Sequence, residues 1–76
     1  MNKDRRKEIN QLIAELEDLK SRVESVLEEE QEYLDNMPES FQEGEKGEKA
    51  QAAIEALENT QQSIEEAIDN LNTAAE

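Results

Sequence analysis

Apolar residues recur at alternating intervals of three and four through the first half of the chain, interrupted once by Glu30. This spacing places the apolar side chains in one stripe along a helix, as in a coiled-coil heptad. We therefore predict a first helix over residues 4–36. Its predicted heptad seam consists of Ile9, Leu12, Leu16, Leu19, Val23, Val26, Tyr33 and Met37. Ile13 and Leu27 lie beside this seam and widen it, which favours a helix bundle over a narrow two-stranded zipper.

A second series of the same kind occupies the second half of the chain and predicts a helix over residues 45–73. Its predicted seam consists of Ala50, Ile54, Leu57, Gln61, Ile64, Ile68, Leu71 and Ala75. Gln61 is the polar position here, as Glu30 is in the first helix. The flanking residues Ala53, Ala56 and Ala67 are small, so another helix can approach closely.

The segment between the helices, residues 37–47, contains the only proline, Pro38, and both glycines of the chain. Proline disfavours helical geometry in the residue before it, so the first helix ends here. We predict one all-α domain over residues 1–76, an antiparallel two-helix hairpin folded about residue 42. Two helices leave much of such a stripe in water, so we expect two hairpins to pair as a homodimeric four-helix bundle. A monomer with an open face for a partner is the alternative.

Composition narrows the class of partner. Only 34% of the residues are hydrophobic, and the net charge is −13. A chain of this charge stays soluble, is attracted to basic surfaces, and does not bind nucleic acid or anionic membranes directly. No apolar run is long enough for a signal peptide or a membrane span. We therefore expect a cytoplasmic protein with no membrane partner.

The residue types argue against an enzyme. The chain contains no histidine and no cysteine, which removes zinc sites, thiol nucleophiles and the commonest general base. The loop from Asp35 fails as a calcium-binding EF-hand, because Met37 and Ser40 occupy positions that need an oxygen ligand and a glycine. Pairs of glutamates one helical turn apart need a concave, dry pocket for catalysis, and a small hairpin offers none. We predict no catalytic residues, no metal and no cofactor.

Long acidic runs are the strongest functional signal. No lysine or arginine occurs from Val23 to Glu45 or from Ala50 to the end. The predicted acidic face consists of Glu24, Glu28, Glu29, Glu32, Asp35, Glu39, Glu43, Glu55, Glu58, Glu65, Glu66 and Asp69. Over a rod of roughly 45 Å, the charge density is about one per 3.5 Å, against one per 1.7 Å in duplex DNA. Two interpretations stay open: this face mimics DNA in a basic cleft, or it only keeps the protein soluble.

Two further clusters have two interpretations each. The cations Lys3, Arg5, Arg6 and Lys7 either pair with the acidic end of the second helix, at Asp69, Glu76 and the terminal carboxylate, or contact an acidic partner. Near the turn, Met37 and Phe41 either close the hairpin end, with Phe41 folded over Tyr33 and Leu34, or form a patch that docks a partner.

The turn also has a specific sequence motif. Asp35-Asn36-Met37-Pro38-Glu39, Phe41-Gln42 and Glu45-Lys46-Gly47-Glu48 resemble the turn of small acidic coiled-coil proteins of phages and prophages, most of which are uncharacterised. The resemblance implies a phage-encoded accessory protein in a bacterial cytoplasm. Small acidic phage proteins often block host defence or DNA-processing enzymes, some by resembling DNA. We therefore expect a non-catalytic protein that inhibits or modulates a host protein, with a structural coiled-coil subunit as the alternative.

Overall fold

The computed structural model describes all 76 residues and contains three helices and no strand. Helix α1 spans Lys3–Asp35, helix α2 spans Glu39–Gln42 and helix α3 spans Glu45–Ala74. Helices α1 and α3 pack against each other in an elongated rod with dimensions of 58 × 15 × 12 Å. The predicted all-helical class is confirmed. The single-turn helix α2 was not predicted and lies within the segment expected to be a plain turn.

Contacts between the two long helices define their direction and register. At one end the Arg6 guanidinium donates a hydrogen bond to the Ala75 carbonyl, with an Nε–O distance of 3.0 Å. Further along, the Lys20 ammonium contacts the Glu65 carboxylate. The early part of α1 therefore lies beside the late part of α3, as in an antiparallel hairpin. The Lys20 contact is within one residue of the register expected from folding the chain about residue 42.

The turn is held by one glutamine side chain. The Pro38 carbonyl accepts the first hydrogen bonds of α2, from the N–H groups of Phe41 and Gln42. The Gln42 amide then donates to the Leu34 carbonyl at 3.2 Å and to the Met37 carbonyl at 3.0 Å. The Leu34 carbonyl, in the last turn of α1, also accepts from the Met37 N–H, whereas the Met37 carbonyl just after the helix has no other donor. Gln42 therefore caps α1 from the following helix and fixes the direction in which the chain leaves it.

Replacing Gln42 with alanine should destabilise the hairpin by about 1–3 kcal/mol, because both hydrogen bonds are lost and the partly buried Met37 carbonyl loses its only donor. Alanine is the better helix former, so helix propensity alone would predict the opposite sign. Urea denaturation followed by circular dichroism measures the difference. Gln31→Ala is the matched control, since the Gln31 amide bonds only the exposed Asp35 carboxylate. Equal losses for the two variants would contradict a capping role for Gln42.

The inner face of α3 is the predicted one. Ala50 is buried, and the seven other residues of the predicted seam are half-buried. Gly47 is also buried, one turn before Ala50. Of the three small flanking residues, Ala53 and Ala67 are half-buried and Ala56 is exposed.

The inner face of α1 differs from the prediction. The half-buried residues of this helix are Ile9, Ile13, Leu16, Lys20, Val23, Leu27, Glu30 and Leu34, and Met37 follows just after it. The predicted seam residues Leu12, Leu19, Val26 and Tyr33 are between 43% and 52% exposed. These four positions lie outside the contact between the two helices of the hairpin, so as part of an oligomer seam they stay a prediction.

The difference between the predicted seam and the inner face of α1 has a geometric cause. Two series with alternating spacings of three and four overlap in α1, and they share Ile9, Leu16, Val23 and Met37. We call residues seven apart along a helix a column. One series adds the column of Leu12 to the shared residues, and the other adds the column of Ile13, Lys20, Leu27 and Leu34. From Leu12 to Tyr33 the column of Leu12 contains only apolar residues, so the sequence favours it. The structure turns it outward and places Lys20 on the inner face instead.

Candidate interaction surfaces

The two long helices give the rod two different broad sides. Residues seven apart form a column along a helix in this kind of packing. On α1, the columns of Leu12 and Glu17 flank the inner face on opposite sides, and on α3 the columns of Ala53 and Glu65 do the same. A groove lined by both Glu17 and Glu65 places these two columns on one side of the rod. The columns of Leu12 and Ala53 therefore share the other side.

We call the first of these the acidic side. Its groove is open, and five carboxylates line it: Glu17, Glu24, Glu58, Glu65 and Asp69. Lys20 is the only cation in the groove. Apart from Lys20 and the apolar Ile68, the remaining lining residues, Ser21, Gln61 and Gln62, are polar and uncharged. A surface of this composition attracts cationic groups and repels anions.

Lys20 is neutralised within the hairpin. Its hydrogen bond to Glu65 raises the pKa of the Lys20 ammonium above its ordinary value, although partial burial acts in the opposite direction. The charges of Glu65, Glu24 and Glu17 add to the increase. Lys20 therefore stays protonated at neutral pH and is already paired. Sequence reasoning missed Lys20, and the signal that would have found it is its place seven residues from both Ile13 and Leu27.

The twelve residues of the predicted acidic face are all exposed, but they do not form a single face. Glu24, Glu58, Glu65 and Asp69 lie on the acidic side. Glu39 is in α2 and Glu43 follows it, so both are at the turn end of the rod. Three more share the columns of groove residues: Glu28 and Asp35 are in the column of Ser21, and Glu55 is in the column of Gln62. Glu29 and Glu32 of α1 and Glu66 of α3 lie on other columns.

The observed length also lowers the expected charge density. A net charge of −13 over 58 Å is one charge per about 4.5 Å, which is less dense than the sequence predicted. Duplex DNA has one per 1.7 Å. Two rods side by side would reach about one charge per 2.2 Å. The hairpin alone is therefore much less densely charged than DNA, whereas a pair of hairpins approaches it.

At the turn end, Phe41 does not close the hairpin. Its ring is 53% exposed, and Tyr33, which it was expected to cover, is exposed to a similar degree. Met37 and Leu34 are half-buried. The closing role falls instead to Gln42 and Gly47, so the predicted plug is wrong and Phe41 presents a free aromatic ring to solvent.

The basic cluster at the start of α1 does not make the predicted ion pairs. Lys3, Arg5, Arg6 and Lys7 form no ion pair with Asp69, with Glu76 or with any other carboxylate. Arg6 instead binds the Ala75 carbonyl at the end of α3, where a cation is favoured by the helix dipole. Three exposed cations are left without a partner in the hairpin.

The second broad side, which we call the apolar side, is formed by two columns. Leu12, Leu19, Val26 and Tyr33 of α1 are large, and Ala53, Thr60, Ala67 and Ala74 of α3 are small. The large residues lie seven apart over about two-thirds of α1. An apolar column of this length on one side of a rod resembles the contact surface of a helix bundle.

Neither long helix contains a stretch apolar enough to cross a bilayer. No protein-family model, curated protein or solved structure shows significant similarity to this chain.

Proposed function

We propose that the protein is a non-catalytic binding protein whose acidic side occupies a basic surface on another protein. Its turn motif, which resembles that of phage-encoded proteins, makes the partner a protein of a bacterial host, met in the host cytoplasm. Enzymes that handle nucleic acids, including defence enzymes, bind them in basic clefts, and such a cleft is a basic surface of the required kind. Occupying the cleft would inhibit or modulate the enzyme.

One observation supports this proposal above the others. The groove of the acidic side has five carboxylates and one cation, and that cation is already paired with Glu65. The groove therefore presents uncompensated negative charge along one side of the rod. Attraction to this charge would speed the association with a basic surface and would orient the two proteins as they meet.

The test compares two variants that lose the same charge in different places. Glu17, Glu24 and Glu58 are changed to glutamine in the first variant, and Glu8, Glu32 and Glu66 in the second. All six are exposed, and glutamine preserves size and helix propensity. Each protein is used to capture host proteins from a bacterial lysate at low and high salt, and the affinity of the main captured protein is then measured.

We expect the acidic-side variant to bind up to about 100-fold more weakly, since each exposed charge contact contributes up to about 1 kcal/mol. The control variant should bind nearly as the natural protein does. Salt should release the captured protein and duplex DNA should compete with it. Binding that resists salt, or that both variants weaken equally, would contradict the proposal.

A structural role is the second candidate, and the exposed apolar side favours it. In this case the protein is a coiled-coil subunit whose charge only maintains solubility. Its partner would be held through Leu19 and its column or through Phe41, with little response to salt. Loss of binding in a Phe41→Ala variant would assign the contact to the turn. Homodimerisation into a four-helix bundle is part of both candidates.

A further inference from the structure

The hairpin by itself has almost no core. Only Gly47 and Ala50 are buried, and Ala50 is the only buried hydrophobic residue. The accessible surface is 5835 Å², whereas a compact monomer of 8.7 kDa would expose about 4,700 Å². The excess of roughly 1,100 Å² is the size of surface that one copy contributes to a protein–protein interface.

The apolar side has an outline of comparable size. Its outline, 58 × 15 Å, gives a footprint of about 870 Å², close to the roughly 800 Å² that each partner contributes to a standard stable interface. Leu12, Leu19, Val26 and Tyr33 lie along it. No other side of the rod has a continuous column of large apolar residues.

We propose that a second copy of this chain covers the apolar side in an antiparallel arrangement, with α1 against α1 and the two turns at opposite ends. The two-fold axis then passes near the middle of α1, between Leu19 and Val26. This inference specifies the homodimer included in the proposed function, but it does not depend on the acidic side having a partner.

Charge complementarity identifies both the occupant and its direction. The start of α1 has four cations, and Lys3, Arg5 and Lys7 have no partner within the hairpin. The segment from residue 23 to residue 45 has nine carboxylates and no cation. The antiparallel arrangement places the cations of each copy beside the acidic segment of the other. An arrangement with both turns at the same end would bring the two acidic segments together.

The shapes of the columns fit this arrangement. With the axis between Leu19 and Val26, Leu19 of each copy lies opposite Val26 of the other copy. Leu12 of each copy likewise lies opposite Tyr33 of the other. Large residues therefore meet along the two α1 helices. The small residues Ala53 and Ala67 let the two α3 helices approach to the 8–10 Å typical of packed helices.

Spin labels measure the arrangement directly, because the chain has no cysteine and each label position is unique. Ser40→Cys places a label at the turn end and Ser25→Cys places one near the middle of α1. Both serines are exposed and outside the apolar side. Pulsed electron paramagnetic resonance should give about 50 Å between the two Ser40→Cys labels, since they are at opposite ends. The Ser25→Cys labels should be less than about half that distance apart.

Each alternative outcome would overturn the proposal. A short Ser40→Cys distance would mean that both turns are at the same end. Absence of a defined distance in both variants, at concentrations where the natural protein is measured, would mean that the chain is a monomer and that something else covers the apolar side. A failed search for a basic partner would leave these distances unchanged, so the two proposals fail separately.

Two pairs of lysines test the charge argument. Lys3→Gln with Lys7→Gln removes cations from the start of α1, and Lys46→Gln with Lys49→Gln removes them from the turn end. All four are exposed. We expect the first pair to weaken dimerisation roughly tenfold at low salt, and the second pair to leave it unchanged or strengthen it. An arrangement with both turns at one end predicts the opposite signs, and sedimentation equilibrium distinguishes them.

Discussion

Replacing Gly47 with alanine should lower the free energy of unfolding by about 3 kcal/mol or more, because the added methyl group overlaps the backbone of α2. A Cβ atom at this position would lie 2.0 Å from the Gln42 carbonyl oxygen, 2.4 Å from its carbonyl carbon and 2.6 Å from its Cα. These are backbone atoms, which cannot rotate away as the end of a side chain can. The expected effect is a decrease in melting temperature of roughly 10–20 °C at fixed protein concentration.

The sign of this effect makes the test informative. Gly47 is inside the first turn of α3, where alanine would otherwise add up to about 1 kcal/mol through helix propensity. Its backbone conformation is also open to other residues, since no glycine of the chain has a positive φ. Only the contact with Gln42 predicts destabilisation.

Gly44→Ala is the matched control. The nearest atoms to a Cβ at Gly44 are 3.6 Å away, which is ordinary van der Waals contact. Gly44 is the N-cap of α3, where alanine costs about 1 kcal/mol relative to the preferred residues. A Gly47→Ala protein as stable as Gly44→Ala would show that α2 does not pack against α3 as described.

The second large effect is expected at the centre of the apolar side. Changing Leu19 and Val26 together to glutamate should weaken dimerisation by more than 100-fold, because four carboxylates would then be buried near the two-fold axis. Both residues are more than 40% exposed in the single hairpin, so each hairpin should stay helical. Sedimentation equilibrium measures the association and circular dichroism checks the helix content.

Ser21→Glu with Gln62→Glu is the control for this variant. It adds the same charge at exposed positions that line the groove of the acidic side. We expect its association to stay within a few-fold of that of the natural protein. If both double variants weaken association equally, general repulsion would explain the result and the apolar side would not be the interface.

The sequence was sufficient to predict which residues of α3 lie on the inner face, but not which residues of α1 do. In α3 the competing column contains, from Ala53 onward, only the small residues Ala53, Thr60, Ala67 and Ala74, so the large apolar residues indicate one series, and its eight residues all lie on the inner face. In α1 three neighbouring columns are largely apolar, so two overlapping series fit a heptad, and the one without Lys20 is not the one on the inner face. The choice between them depends on the rotation of α1, which the turn determines through Gln42 and Gly47. Periodicity has no information about that rotation.

The interaction surfaces were predictable in composition but not in arrangement. The excess of carboxylates and the four cations near the start are visible in the chain itself. Which carboxylates share a side depends on how the columns of α1 and α3 meet, and the contact between Lys20 and Glu65 shows this. The exposure of Phe41 could not be predicted either, because a short helix inside the turn determines where its ring lies.

The regular columns of α1 and α3 have a consequence for how such a rod can change in length. Contacts between the long helices repeat every seven residues, whereas the contacts of Gln42 and Gly47 are confined to one end. Inserting seven residues at matching points of both helices would lengthen the rod by about 10.5 Å and leave the turn and the order of the columns intact. The length of the hairpin can therefore change in steps of seven residues while its turn and its helix packing stay the same.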